Sequence, residues 1–368
     1  MNPFFYPYKG GIERRMADTS RLLAAKGHDV TVLTGRLSED SPEEETMDGY
    51  RIVRLKSRQI RVYNPPFISS KGVLEALGSL DADLVNFNYR WAPSYTKDLR
   101  KYDGKKVFTY HNMWGEGVGL MGRFSEMNDD RFAPTLETFD HVIAVSDYVR
   151  KDLLRRGYSA RYVTAVPTCL QTPVEPGEGK GDYILSLGRH VKTKGLEYLV
   201  EAMRDVDHRL VICGKGPEDR RLKRLISKYG LEDRIEMKGY VTDEEKHALM
   251  GDCRFFVMPS VFESLGLAAE ELMSRGRPIV CSDADGLPDT VGDAGVVVPK
   301  RDPKALADAM NALFDDVRRC EALAAKAAER ASYYNWNNHL PTIEDVYSKV
   351  LSGEYTEADA HASGGDAE

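Results

Sequence analysis

Residues Pro259 to Pro278 read PSVFESLGLAAEELMSRGRP, and the way this stretch divides sets the expected fold. Ahead of it the apolar run Phe255-Phe256-Val257-Met258 has the length of a buried strand, stopped by Pro259, which has no N–H for a sheet ladder. Glu263 follows in a short loop that ends at Gly266, and Leu267 to Ser274 is a helix-forming run closed by Gly276. The start of such a helix offers unpaired N–H groups and the positive end of a dipole, a ready place for phosphate. Glu263 in the loop and Glu271 about a turn into the helix could accept hydrogen bonds from vicinal hydroxyls of a ribose or a hexose. Alone, the two acids also fit the surface of an ordinary βα unit. Taken with a phosphate-accepting helix start, they describe a pocket for a sugar joined to a nucleoside diphosphate.

The whole chain has 368 residues, enough for two domains of ordinary size. With 42% hydrophobic and 30% charged residues it has the profile of a soluble globular protein. No apolar run approaches the ~20 residues of a membrane-spanning helix, and no secretory signal is visible. The five cysteines, Cys169, Cys213, Cys253, Cys281 and Cys320, are scattered without a C-x-x-C pair, which argues against a zinc site or a disulfide framework and fits a reducing cytoplasm. Charge is uneven: residues 1–171 carry 25 Lys and Arg against 22 Asp and Glu, so the net of −7 comes from the rest. Basic clusters stand at Arg100, Lys101, Lys105, Lys106 and at Arg150, Lys151, Arg155, Arg156. They read either as solvated helix faces or as peripheral contact with an anionic membrane surface. Nothing interleaves basic and aromatic residues as a nucleic-acid partner requires.

Outward from the opening stretch, the second half begins with a strand, Tyr183 to Leu187, and the loop Gly188-Arg189-His190-Val191-Lys192-Thr193-Lys194-Gly195. A forked guanidinium and a mobile ammonium on one loop suit a diphosphate, holding it and neutralising its charge as it leaves, although two basic residues in a loop are commonplace. Leu210 to Cys213 and Gly214 form the next strand and glycine turn. Ile235 to Val241 reads as strand and loop, and Thr242-Asp243 caps a helix. The Pro/Gly-rich segment Thr172 to Gly181 is the expected linker.

In the first half, Gly10-Gly11 precede an amphipathic helix to about Lys26, and Asp29 to Thr34 reads as a strand. Residues 36–50 read as an acidic surface loop, Tyr50 to Leu55 as a strand, and Pro65-Pro66 as irregular chain. Leu84 to Phe87 and Lys106 to Tyr110 are further strands, with His111 at the carboxyl end of the second, where open α/β sheets place ligands.

The Pro259–Pro278 string resembles the E-x7-E signature of retaining glycosyltransferases of the GT-B fold, the GT4-like group 1 family. Pro259, Ser260, Glu263, Gly266, Leu267, Glu271, Gly276 and Pro278 stand at its positions, with Leu265 in place of the family's aromatic residue. Gly188 to Gly195 is similar to the family's G-R-x-x-x-x-K-G element, and Asp140 to Ser146 to its D-x-V-I-A-V-S strand. Departures are Pro167–Gln171 for P-N-G-V-D, and Asp285 and Asp289 for the first Gly and the Glu of G-G-L-P-E. The family's opening strand is short or missing, which implies a start a few residues upstream of Met1.

The resemblance covers Asn2 to about Leu351 and implies two Rossmann-like α/β domains with parallel sheets facing across a cleft. Residues 1–171 would form the acceptor domain, 182–340 the donor domain, and 341–351 a helix crossing back to the first domain. Residues 352–368 would be a disordered tail. The implied reaction is transfer of a hexose, with retention, from a nucleotide sugar to a glycan or lipid-linked acceptor in the cytoplasm. The implied catalytic group is His111, Arg189, Lys194 and Glu263. The implied donor contacts are Gly10, Gly11, Arg189, Lys194, Gly214, Val241, Glu263, Leu265, Gly266, Leu267 and Glu271, while Asn112 and Trp114 would help shape the acceptor cleft. No cofactor and no metal are expected, since no D-x-D stands at a strand end and Arg189 and Lys194 supply the cations. A nucleotide-sugar epimerase, a phosphorylase with a lysine-bound pyridoxal, or a non-catalytic binding module remain the alternatives.

Overall fold

The structure, a computed structural model, describes residues 1–60, 67–170 and 174–355. Pro65-Pro66, Gln171 and the tail from residue 356 lie outside these. The chain forms two compact units. The first comprises Met1–Gly115, Gly122–Pro167 and the chain from His339 onward; the second comprises Glu116–Met121 and Thr168–Asn338.

The strands of the first unit are β1 (Thr31–Arg36), β2 (Glu44–Met47), β3 (Tyr50–Ile60), β4 (Phe67–Ser70), β5 (Leu84–Phe87), β6 (Lys105–Tyr110), β7 (His141–Ala144) and β8 (Val163–Ala165). Its helices are α1 (Gly11–Ala25), α2 (Val73–Leu80), α3 (Pro93–Leu99), α4 (Leu120–Leu136, whose first two residues group with the second unit) and α5 (Asp147–Arg155). Strands β5-β6-β7-β8 are parallel throughout, and β7 is fully buried, as a strand covered on both faces requires. The segment read as a surface loop holds β2, which pairs antiparallel with β3, because Glu44-Glu45-Thr46-Met47 needs only one sheltered edge.

Where the family's opening strand is expected, Met1–Pro3 run as irregular chain hydrogen-bonded on both sides. The Asn2 N–H donates to Leu33 O (3.1 Å) and the Gly35 N–H to Pro3 O (3.2 Å) on one side, and the Asn88 N–H donates to Met1 O (3.0 Å) on the other. Phe4 and Phe5 follow directly into the core. Three residues thus join the β1 and β5 sheets.

The second unit holds β9 (Tyr183–Leu187), β10 (Arg209–Cys213), β11 (Ile235–Gly239), β12 (Phe255–Met258), β13 (Ile279–Ser282) and β14 (Gly295–Val298). Its helices are α6 (Leu196–Ala202), α7 (Asp219–Tyr229), α8 (Asp243–Asp252), α9 (Leu267–Ser274), α10 (Leu287–Val291), α11 (Pro303–Asp315) and α12 (Val317–Tyr333). The last helix, α13 (Trp336–Ser352), begins five residues earlier than expected. The six strands are parallel in the order β11-β10-β9-β12-β13-β14, a doubly wound sheet whose direction of growth reverses between β9 and β12. Ile184, Leu210, Ile212, Phe255 and Val257 pack with the apolar faces of α6, α7 and α11 in one core.

The segment expected as a linker is not a loose tether over its described part. The N–H groups of Glu175, Gly177, Gly179 and Gly181 donate to Ser274, Arg275, Gly251 and Asp252 of the second unit. Its Pro/Gly content serves close backbone approach, with Arg277 also donating to Gly177 O at 2.9 Å.

Candidate active site

In the second unit the crevice falls where such sheets place ligands, at the carboxyl ends of the two strands flanking the reversal. It is an open space of about 270 Å³ bordered by Gly188, Arg189 and Lys194 after β9, by Met258 at the end of β12, and by Pro259 and Ser260 after it. Glycine makes the two loops fit. A Cβ on Gly195 (φ +62) would lie 2.0 Å from Pro259 O, and one on Gly214 (φ +128) would lie 1.8 Å from Gly188 O. The Val261 N–H donates to Thr193 O at 2.7 Å, tying the basic loop to the loop of Glu263.

Lys194 and Glu263 form an ion pair, 25% and 12% exposed, and the Ser260 hydroxyl lies 3.5 Å from the same carboxylate. Arg189 is exposed, and its guanidinium has no hydrogen-bond or ion-pair partner among the described residues. The backbone of Glu263 is fixed from below. Its N–H donates to the Asp285 carboxylate (3.2 Å), and its carbonyl accepts from the Gly286 N–H (2.9 Å). Asp285 has φ +49, a region that favours glycine and that Asp tolerates better than most residues. The departure from the family glycine therefore keeps the turn and adds a tether. Asp289 stands exposed in the first turn of α10.

Gly266 (φ +98) precedes α9, whose first residue is Leu267. The Leu265 side chain is buried, and its carbonyl accepts from the Thr290 hydroxyl. Glu271 meets Lys246 of α8 at 3.3 Å, so each glutamate of the pair faces a lysine. Val241 is half-buried just before α8, whose start is closed by reciprocal bonds between Thr242 and Glu245. Lys246 and the bond between His190 Nδ1 and Asp219 (2.5 Å) escaped the sequence reading. A cation inside the acid-rich helix DEEKHALMGD gives no linear signal.

In the first unit, His111 follows β6, with its Nε2 3.0 Å from Asn88 Oδ1. Burial and the guanidinium charges of Arg15 and Arg90 hold its pKa well below the ordinary histidine value, so the ring is neutral at pH 7. Gly10 and Gly11 stand exposed at the start of α1 with Gly10 extended, while Trp114 packs 5.0 Å from the Arg156 guanidinium. The basic clusters of this unit are largely used internally. Lys106 is buried against Leu99 O and Tyr102 O, Arg100 bonds Thr135, Lys105 pairs with Asp140, Lys151 with Asp147 and Arg156 with Asp152.

Two family models match, one for each half. Glycosyltransferase Family 4 covers residues 9–172 and Glycosyl transferases group 1 covers residues 172–330. Phosphatidyl-myo-inositol mannosyltransferase of Mycobacterium leprae is 28% identical over 95% of this chain and 96% of the relative. Among solved structures, sucrose-phosphate synthase from Thermosynechococcus elongatus superposes with a TM-score of 0.80 at 24% identity, over 94% of both chains. Anabaena HepE in complex with UDP-glucose superposes with a TM-score of 0.74 at 17% identity, over 96% of this chain and all of that one. The chain belongs to the GT4-type, group 1 glycosyltransferases, and its fold is GT-B.

Proposed function

We propose that the protein transfers a hexosyl group from a nucleoside-diphosphate sugar to a glycan or lipid-linked acceptor, with retention at the anomeric carbon and without a metal or other cofactor. The observation that carries this reading is the pairing of Lys194 with Glu263 beside exposed Arg189 at the reversal point of the sheet. An incoming diphosphate competes for the Lys194 ammonium and meets the Arg189 fork. Glu263, released from its partner, turns to the sugar hydroxyls. Charge stabilisation and positioning then carry the reaction, as the departing phosphate helps deprotonate an acceptor attacking on the same face. Glu271 holds the ribose hydroxyls, and His111 meets the transferred sugar. The remaining donor contacts come from Gly10, Gly11, Gly214, Val241, Leu265 and the helix start at Gly266-Leu267. The mannosyltransferase relative, whose name gives it a phosphatidyl-myo-inositol acceptor, supports a lipid-linked acceptor here. We place the reaction in the cytoplasm or at the inner membrane face; no helix among the described residues is long and apolar enough to cross a membrane.

The test is a screen of UDP-, GDP- and ADP-sugars by thermal shift and nucleotide release, in EDTA, with Lys194→Ala and Glu271→Ala alongside. One donor should stabilise and turn over with the wild type, at least tenfold less with either variant, and lipid extract should accelerate release. The anomeric configuration of the product tests retention. Binding without turnover would favour the binding-module reading, and no response to any donor would overturn the donor assignment.

A further inference from the structure

The basic loop after β9 carries Arg189 on a backbone that is held on both sides of it. The Gly188 N–H donates to Cys213 O and the His190 N–H to Lys215 O, each at 3.1 Å, so the residues before and after Arg189 are bonded to the end of β10 and the turn beyond it. His190 itself is buried, with 1% of its surface exposed. Its Nδ1 meets the carboxylate of Asp219, the first residue of α7, at 2.5 Å. An ionised carboxylate only accepts, so Nδ1 carries a proton and the bond is charge-assisted. The same carboxylate accepts from the Gly216 N–H at 3.1 Å, and His190 O accepts from the Glu218 N–H at 3.1 Å. A Cβ on Gly216 would lie 2.2 Å from His190 O, so the turn closes on this residue as tightly as glycine allows. Nε2 is buried and has no hydrogen bond among the described residues, which leaves Asp219 as the polar group that fixes the ring.

We propose that His190 is a positioning residue: fixed by Asp219, it holds the backbone from which Arg189 reaches the departing diphosphate. The proposal rests on the assignment of Arg189 to the donor's phosphates. An exposed guanidinium without a partner of its own takes its aim from the backbone beneath it, and a misplacement of about an ångström can cost on the order of a hundredfold in rate. Asp219 supplies a rigid base, because α7 packs into the core of the second unit through Leu222 and Ile226. The buried ring acts through Arg189 and does not itself meet the donor.

The experiment is a double-mutant cycle on the full-length protein, read as kcat/KM for nucleotide release from the UDP-, GDP- or ADP-sugar that turns over. His190→Ala should lower kcat/KM roughly tenfold in the wild type and no more than about twofold where Arg189 is already replaced by alanine. Asp219→Ala, at a half-buried position and so the variant more readily folded, should show the same dependence. His190→Asn sets an amide nitrogen where Nδ1 stands and should recover activity to within about threefold of the wild type. Melting temperature should fall equally with and without Arg189, since a purely structural loss does not depend on that side chain. Amide hydrogen exchange needs no donor: both alanine variants should speed exchange at Gly188 and His190 at least about tenfold, while β13 keeps its protection. Losses of kcat/KM that are the same with and without Arg189, or unchanged exchange in both variants, would overturn the proposal and leave the donor assignment standing. An Arg189→Ala protein as active as the wild type would remove the donor role of Arg189 and this proposal with it.

Discussion

Arg189 and Lys194 share one loop, yet the structure gives them different obligations. Arg189 is exposed and supports nothing among the described residues, so Arg189→Ala should leave the melting temperature unchanged, within about 0.5 kcal/mol. Its effect should appear only in turnover of the donor, with kcat/KM lowered about tenfold or more. Lys194 compensates a carboxylate that is 12% exposed. Lys194→Ala leaves Glu263 with the distant Ser260 hydroxyl and should cost about 1–3 kcal/mol as well as activity. Adding Glu263→Gln removes the stranded charge and should restore most of the melting temperature but none of the turnover. Stability and nucleotide release measured on the three proteins separate the two roles. If the double variant melts as low as Lys194→Ala, the ion pair is not what holds this loop.

At the scale of elements, much was legible where sequence and local physics agree. Helix α9 runs from Leu267 to Ser274 as the glycines on either side of it implied, and β12 is the buried run stopped by Pro259. What could not be read are pairings made through space. Lys246 with Glu271, Asn88 with His111, and the slot filled by Met1–Pro3 join residues whose spacing in the chain carries no period. Asp285 is the instructive case, because the sequence showed there only a lost glycine. The turn between β13 and α10 uses that acid as an anchor for the Glu263 backbone. Asp285→Asn keeps an acceptor in a residue that tolerates positive φ and should be near neutral. Asp285→Gly relaxes the backbone but loses the bond, and Asp285→Ala loses both and should cost about 1–2 kcal/mol. Melting temperature should fall, and donor KM rise, in the order Asn, Gly, Ala. A glycine variant equal to the wild type in both would show that the carboxylate anchors nothing.

For the whole molecule, the two units should part company in mild acid. His111 and His141 both belong to the first unit. Burial and Lys349 bring His141 down to about 4, with its ring bonded to Thr164, and His111 is lowered by burial, Arg15 and Arg90. A histidine with a depressed folded pKa binds fewer protons folded than unfolded between that value and about 6.5, so stability rises with pH in this window and is lost as pH falls through it. His141 alone withdraws on the order of 3 kcal/mol by pH 4, a large part of a typical margin of 5–15 kcal/mol. In the second unit His247 is also lowered by burial but stands exposed, so its share is smaller. Carboxylates remain charged through most of the interval, which assigns the early loss to histidine. Trp91 and Trp114 report on the first unit and Trp336 on the second. A Trp336→Phe protein should therefore show a fluorescence transition between pH 6 and 4, at higher pH than one retaining Trp336 alone. His141→Gln, which can still bond Thr164 but gains no charge in acid, should move the first transition to lower pH. Simultaneous loss of both signals, unmoved by that substitution, would assign acid unfolding to the carboxylates instead.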